Sequence, residues 1–350
     1  MIAVSVVIPV HNAGAALVDT VRAVLAQTAP DVQFEVVLVD DRSGDAAVEL
    51  VRRALPCPPL VVIEGEGRGA AAALNRGVAA ARYPLIAQVD QDVVVGPEWL
   101  EQLLPAMADA EVAAAQGQYV TDPRASLLAR VMGRDLQERY ASLDRDTGHV
   151  CSGNVVYRAA AVRTVGGFDE SLGYGYDNDM SYRLRAAGFR LRYVAAAWST
   201  HRWREGLAGY VRQQYGFGYG RLDLVAKHRG RLAGDSVSPL VMMAHPVLTA
   251  LAVAMMAGAA VHPVFSSGAS IGLLLLLALA AERAWVGARA ARRFRDWVPL
   301  LFPLVHLLRD LVWVTAIAVW LTRRAAGARP HPRHSMRPRG VDDDSEAEPA

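Results

Sequence analysis

Cysteine is nearly missing: Cys57 and Cys151 are the two among 350 residues. Two thiols are too few for a disulfide framework or a structural zinc site, and a reducing compartment fits them. An excess of one charge is missing too. Lys+Arg number 37 against 35 Asp+Glu, a net charge of +2, so global charge gives no support for nucleic-acid binding. The opening Met1-Ile2-Ala3-Val4-Ser5-Val6-Val7-Ile8-Pro9 has no basic head and runs straight into a turn, so it reads as a first strand and not as a signal peptide. Apolar side chains, by contrast, are plentiful. They make up 53% of the chain, with a mean hydropathy of +0.17, and they are unevenly spread. The tail is the asymmetric part, Arg-rich to Arg339 and acidic from Asp342.

Three regions follow. Over 1–230, short β-branched runs (4–9, 35–39, 60–63, 84–89) alternate with segments of helical period (15–27, 46–55, 69–81). Thr28-Ala29-Pro30 and Pro56-Cys57-Pro58-Pro59 read as stops. Strand–helix alternation predicts an α/β, doubly wound sheet with ligands at the carboxyl ends of its strands. Over 231–322 come three hydrophobic helices: 239–262 and 264–281 carry no charge, while 298–321 contains His306, Arg309 and Asp310. Each is near the roughly 20 residues that cross a bilayer. The first two form a membrane hairpin. Lys227, Arg229 and Arg231 before it, and Arg283, Arg289, Arg292, Arg293 and Arg295 after it, put both flanks and the α/β domain on the cytoplasmic side of the inner membrane. The third run stays open between crossing, against that rule, and lying in the interface. Residues 323–350 read as a disordered tail.

Four polar constellations end apolar runs: Asp40-Asp41, Asp90-Gln91-Asp92, Asp177-Asn178-Asp179 and His201. Two carboxylates one residue apart can present oxygens together to Mg²⁺ or Mn²⁺, and such an ion neutralises a diphosphate. Each piece also has a plainer reading, as a solvated loop, a helix cap or a surface histidine.

Taken in order, the segments resemble the family 2 glycosyltransferases, over roughly residues 3 to 230. The pieces are Val6-Val7-Ile8-Pro9-Val10-His11-Asn12, Val39-Asp40-Asp41-Arg42-Ser43, Gly67-Arg68-Gly69 with Asn75, Val89-Asp90-Gln91-Asp92, Ser152-Gly153-Asn154, Gly166-Gly167-Phe168-Asp169 and Tyr176-Asp177-Asn178-Asp179. The resemblance implies a Rossmann-like GT-A domain, followed here by transmembrane helices, and a sugar moved from a nucleoside diphosphate donor. It implies donor binding by Pro9, His11, Asn12, Asp40, Asp41, Arg68 and Asp90, a Mg²⁺ or Mn²⁺ ion on Asp92 and His201, and Asp177 as catalytic base. Gly153, Asn154, Asp179 and Trp203 fall on the acceptor side.

A single displacement on that pattern inverts the anomeric centre. The membrane helices point to a lipid-linked or cell-envelope glycan acceptor. Arg42, Leu74 and Tyr176 depart from the family pattern; Tyr176 replaces the glutamate that usually precedes the base. Residues 202–221 read either as an interfacial helix or as an acceptor-binding segment, and the Arg-Trp of processive relatives is missing. A non-catalytic membrane scaffold is the alternative that Tyr176 favours; a sugar nucleotidyltransferase lacks its Gly-rich basic loop here. Donor, acceptor and oligomeric state are not written in the sequence.

Overall fold

The structure, a computed structural model, describes residues 2–55, 60–262 and 266–327. It opens as β1 (Ile2–Val10), α1 (Ala16–Leu25), β2 (Val32–Asp40), α2 (Ala47–Ala54), β3 (Leu60–Glu64), α3 (Ala70–Ala80) and β4 (Leu85–Val89). There follow β5 (Val93–Val95), α4 (Trp99–Leu103), β6 (Val112–Val120), α5 (Leu127–Tyr140), β7 (Asn154–Arg158), α6 (Ala159–Thr164), α7 (Tyr176–Ala186) and β8 (Arg190–His201). The chain continues through α8 (Leu207–Lys227), α9 (Leu240–Val261), α10 (Ser266–Phe294) and α11 (Phe302–Ala325).

All eight strands form one sheet, in the order β3-β2-β1-β4-β7-β6-β8-β5. β3, β2, β1 and β4 are parallel, as the alternation predicts, whereas β7 is antiparallel to both β4 and β6. The parallel half reads as continuous apolar runs because both faces are covered. In β1, Val6, Ile8 and Val10 enter one core and Val7 the other, the two-residue period of a strand. Ser5 lies buried among them and donates to Glu35 Oε1 of β2 at 2.6 Å, so its hydroxyl is not orphaned. β6 begins Val112-Ala113-Ala114-Ala115, a run with little strand propensity; its position between β7 and β8 decides its conformation.

At the C-terminal end, α9 packs against α10, and α11 against α8. α10 runs on to Phe294, beyond the apolar stretch 264–281, because Ala- and Arg-rich sequence continues the helix and finds partners on α5. Arg289 and Arg293 there meet Glu138 at 2.8 and 3.3 Å. The same α5 holds Asp296 through Arg130 and Arg134, both at 2.9 Å. α11 likewise runs through Arg323 and Arg324, three residues into the stretch assigned to the tail, with two cations in a last turn that favours them. The rest of that tail, 328–350, and the stop at 56–59 lie outside the described residues. Helices α9, α10 and α11 are each long and apolar enough to cross a membrane.

Candidate active site

Strand pairing, not local sequence, assembles the first group. Asp90 follows the end of β4, Asp92 lies in the turn to β5, and His201 closes β8. β5 pairs with β8 so that Val93 opposes His201, which brings His201 Nε2 to 3.5 Å from Asp92 Oδ1. Asp90, Asp92 and His201 offer ligand atoms that all lie within 4.8 Å of one another. Trp203 stacks obliquely on the His201 ring at 4.2 Å and Tyr119 meets its face edge-on at 5.6 Å, fixing the imidazole. The Asp90 carboxyl is pushed up to about 8, first by burial and then by the negative charges of Asp92 and Asp177. Carboxylates crowded until one resists ionisation, with an imidazole beside them, suit a divalent cation that would relieve the repulsion.

Asp177 lies one residue into α7 and lines the same cavity. Gly175 adopts φ +77° immediately before, so the helix starts abruptly and its first turn faces the cavity. Asp177 Oδ1 accepts from the Asn178 amide at 2.9 Å and Oδ2 from the Ser152 amide at 3.2 Å. His149 Nε2 stands 3.9 Å from Oδ2. Burial alone would raise the Asp177 carboxyl; His149 and the two amides outweigh it and hold the group below the usual range. Burial works against charge on His149 as well, yet Cys151 and Asp177 keep its imidazole well above the ordinary value. Tyr176 also lines the cavity, with its hydroxyl 3.3 Å from Ser152 Oγ, so the residue replacing glutamate leaves the Asp177 carboxylate facing the cavity.

One cavity of about 390 Å³ is lined by Pro9, Asp90, Asp92, Asp177, His201 and Trp203 together. Other expected residues are elsewhere. The Asp41 carboxylate is 1% exposed and accepts from the amides of Gly67, Arg68 and Gly69, fixing the entry to α3. Asp40 accepts from the Ser43 amide, and Asn12, at φ 49°, accepts from Gly44. His11 donates its amide to Gln91 Oε1, tying this loop to the Asp-x-Asp turn. Arg68 is surface-exposed and paired with Glu170 at 2.6 Å. Asn154 is turned into the core, where Trp99 Nε1 donates to it, because β7 alternation sends its side chain away from the cavity. Asp179 is wholly buried and held by Arg183, Lys227 and His228, a brace between α7 and α8. Gly153 packs against the Asp90 carboxyl: at φ +85°, a Cβ there would fall 2.3 Å from Asp90 Oδ2.

The cavity takes Gln213, Gln214, Phe217 and Arg221 from α8, the segment whose acceptor-binding reading was open in the sequence, and His306, Arg309 and Trp313 from α11, which no motif assigns to the site. Between them Trp313 Nε1 donates to Gln214 Oε1 at 3.2 Å. Asp235, 1% exposed in its side chain, accepts from Tyr182, Asn178 and Arg221 and from the amides of Val237 and Ser238. The residue types give no advance signal for Asp235; a carboxylate in a polar loop looks the same whether solvated or spent.

Fold and site together define a glycosyltransferase of GT-A fold that takes its sugar from a nucleotide donor. Residues 5–166, a little under half of the chain, match the model of Glycosyl transferase family 2. It is 29% identical to a pre-mycofactocin glycosyltransferase of Mycobacterium tuberculosis, over 98% of this chain and 74% of that one. It is 27% identical to the succinoglycan biosynthesis protein ExoA of Rhizobium meliloti, over 67% and 74%. Among solved structures it resembles a mannosyltransferase from Pyrobaculum calidifontis in complex with GDP-mannose and Mn²⁺, with a TM-score of 0.57, 20% identity and 91% and 86% coverage, a likeness of fold.

Proposed function

We propose that this protein is an inverting, metal-dependent glycosyltransferase acting at a membrane on a lipid-linked or cell-envelope glycan acceptor. The observation that carries the reading is the convergence in one cavity of the Asp90, Asp92 and His201 cluster with Asp177. Asp90, Asp92 and His201 would hold Mg²⁺ or Mn²⁺, which when bound supplies the positive charge that stabilises a departing diphosphate. Asp177 takes the proton of an acceptor hydroxyl as that oxygen attacks the anomeric carbon and the bond to the diphosphate breaks. A carboxylate held ionised is available for this at neutral pH. One displacement from the face opposite the leaving group gives inversion.

Two features support a membrane-side acceptor. The cavity continues from Asp177 to Val237, Met242, Val305 and Trp313, at the roots of the apolar helices. α8 takes part in its wall, which favours the acceptor-binding reading of that segment. The domain faces the cytoplasm on the arginine distribution already described. The division into a catalytic domain to residue 230 and a membrane region beyond it is part of the same proposal.

The test is a panel of nucleotide sugars with the full chain in detergent, following calorimetric binding and release of nucleoside diphosphate. Asp92→Ala is expected to abolish metal-dependent donor binding. Asp177→Asn is expected to bind donor but to lose transfer by about a hundredfold or more. Absence of donor binding under every metal condition would sink the catalytic reading in favour of a scaffold.

A further inference from the structure

A second set of ligand-type side chains converges on Asp177. His149 and Cys151 stand two residues apart in the loop that enters β7. That loop is pinned: Ser181 Oγ accepts from the Val150 amide and donates to its carbonyl, while the Cys151 amide donates to Gln116 Oε1. His149 is buried, and its Nε2 is 3.9 Å from Cys151 Sγ and 3.9 Å from Asp177 Oδ2. One ligand atom from each of the three lies within 4.8 Å of the others, and all three residues border the cavity.

Nitrogen, oxygen and sulfur ligands bonded to a tetrahedral ion at about 2.0–2.3 Å sit roughly 3.3–3.6 Å from one another. The two separations from His149 Nε2, each 3.9 Å, are a few tenths of an ångström wider, and Cys151 and Asp177 lie within 4.8 Å of each other; side-chain rotation supplies the contraction. The donor set is also chemically unlike the first one. Thiolate and imidazole favour zinc and its late-transition neighbours, whereas a carboxylate-rich site takes Mg²⁺ or Mn²⁺. Two anionic ligands and one neutral imidazole balance a divalent charge.

We propose that His149, Cys151 and Asp177 form a zinc-class site, separate from the donor-side divalent site, whose filling silences the enzyme. Three protein ligands leave a fourth position open to the cavity, so the ion enters and leaves from there. Binding displaces the Cys151 thiol proton and one proton of the His149 imidazolium to solvent. It also engages the Asp177 oxygen that would otherwise accept the acceptor's proton. The inhibitory consequence rests on Asp177 as base; the binding site does not.

The test uses full-length protein carrying Cys57→Ser, which leaves Cys151 as its one thiol, titrated with Co²⁺ alone. The expected result is a thiolate-to-cobalt charge-transfer absorption that saturates at one equivalent and is displaced by Zn²⁺. The band should vanish in Cys151→Ser, and His149→Gln should weaken Co²⁺ binding by about tenfold or more. Zn²⁺ should likewise protect Cys151 from alkylation in the parent, a reading that needs no further variant. In transfer assays at saturating Mn²⁺, Zn²⁺ should inhibit the parent, and Cys151→Ser should need about tenfold more for half-inhibition. No thiolate band at saturating Co²⁺ overturns the site. Zinc inhibition unchanged in Cys151→Ser assigns it to the donor carboxylates and overturns the silencing role. If no donor supports transfer at all, the catalytic reading of Asp177 fails, while the cobalt band still decides the site.

Discussion

Single carboxylates here have sharply different duties although their sequence settings are alike. Asp90 and Asp92 face the cavity; Asp41, Asp179 and Asp235 are consumed in holding loops and helices. Gly153 shows how tightly the first pair is built. Gly153→Ala would place a methyl 2.3 Å from Asp90 Oδ2 in a backbone conformation that alanine resists. Metal-dependent donor binding should fall by about tenfold or more, checked by calorimetry, with donor-independent folding retained. Asp235 sets a pH limit on stability. Burial would raise its carboxyl, but His149, Arg221 and its hydrogen bonds hold it well below the usual range. Its stabilisation is therefore complete above the unfolded value of about 4 and lost as pH falls through the folded value. Asp235→Asn should cost about 1–3 kcal/mol at pH 7. It should also flatten the loss of thermal stability below about pH 4; an unchanged acid profile would show that another carboxylate governs it.

At the scale of elements, α8 is the hinge between the site and the apolar helices. Its run Gly216-Phe217-Gly218-Tyr219-Gly220 is costly for a helix, about 1 kcal/mol per glycine relative to alanine. The packing explains the cost. A Cβ at Gly216 or Gly220 would meet Tyr174 at 2.3 or 2.6 Å, and one at Gly218 would meet Trp313 at 3.1 Å. The i, i+4 pair lies against the loop before Asp177, and the glycine between them lies against α11. Gly216→Ala should thus lower thermal stability and transfer despite its higher helix propensity. Gly209→Ala, with only ordinary contacts of 3.6 Å and beyond, should be neutral or stabilising. Equal melting temperatures for the two variants would remove Tyr174 packing as the reason for the glycines.

For the whole molecule, the question left open by the third apolar run gains a physical argument. α11 lies parallel to α8, with Tyr210, Gln214 and Asp223 bonded in turn to Val305, Trp313 and Trp320. α8 is itself anchored to the catalytic domain by Lys227 and His228 on Asp179. The polar residues of α11 turn inward: His306 meets Asp135 at 3.3 Å, while Leu304, Leu307 and Leu311 are exposed. An α11 that stays in the interface while α9 and α10 cross as a hairpin would keep its terminal arginines on the domain's side, in keeping with the positive-inside tendency. A cysteine introduced as Gly327→Cys, in a background with Cys57 and Cys151 replaced by serine, should be labelled by an impermeant reagent from the cytoplasmic side. Labelling from the opposite side would mean that α11 crosses.

The amino-acid sequence by itself determined the parallel strands and the apolar helices, because both are written in short-range periodicity and length. It also carried the family pattern, because Asp-x-Asp and the Asp177 segment are contiguous. It could not separate Asp90 from Asp41, or Asp177 from Asp179, since a carboxylate at a strand end or helix start looks the same whether it lines a cavity or holds a loop. Nor could it join His149 and Cys151 to Asp177, or α11 to α8. Those partners are far apart along the chain, and only the folded sheet and its packed helices bring them within bonding distance.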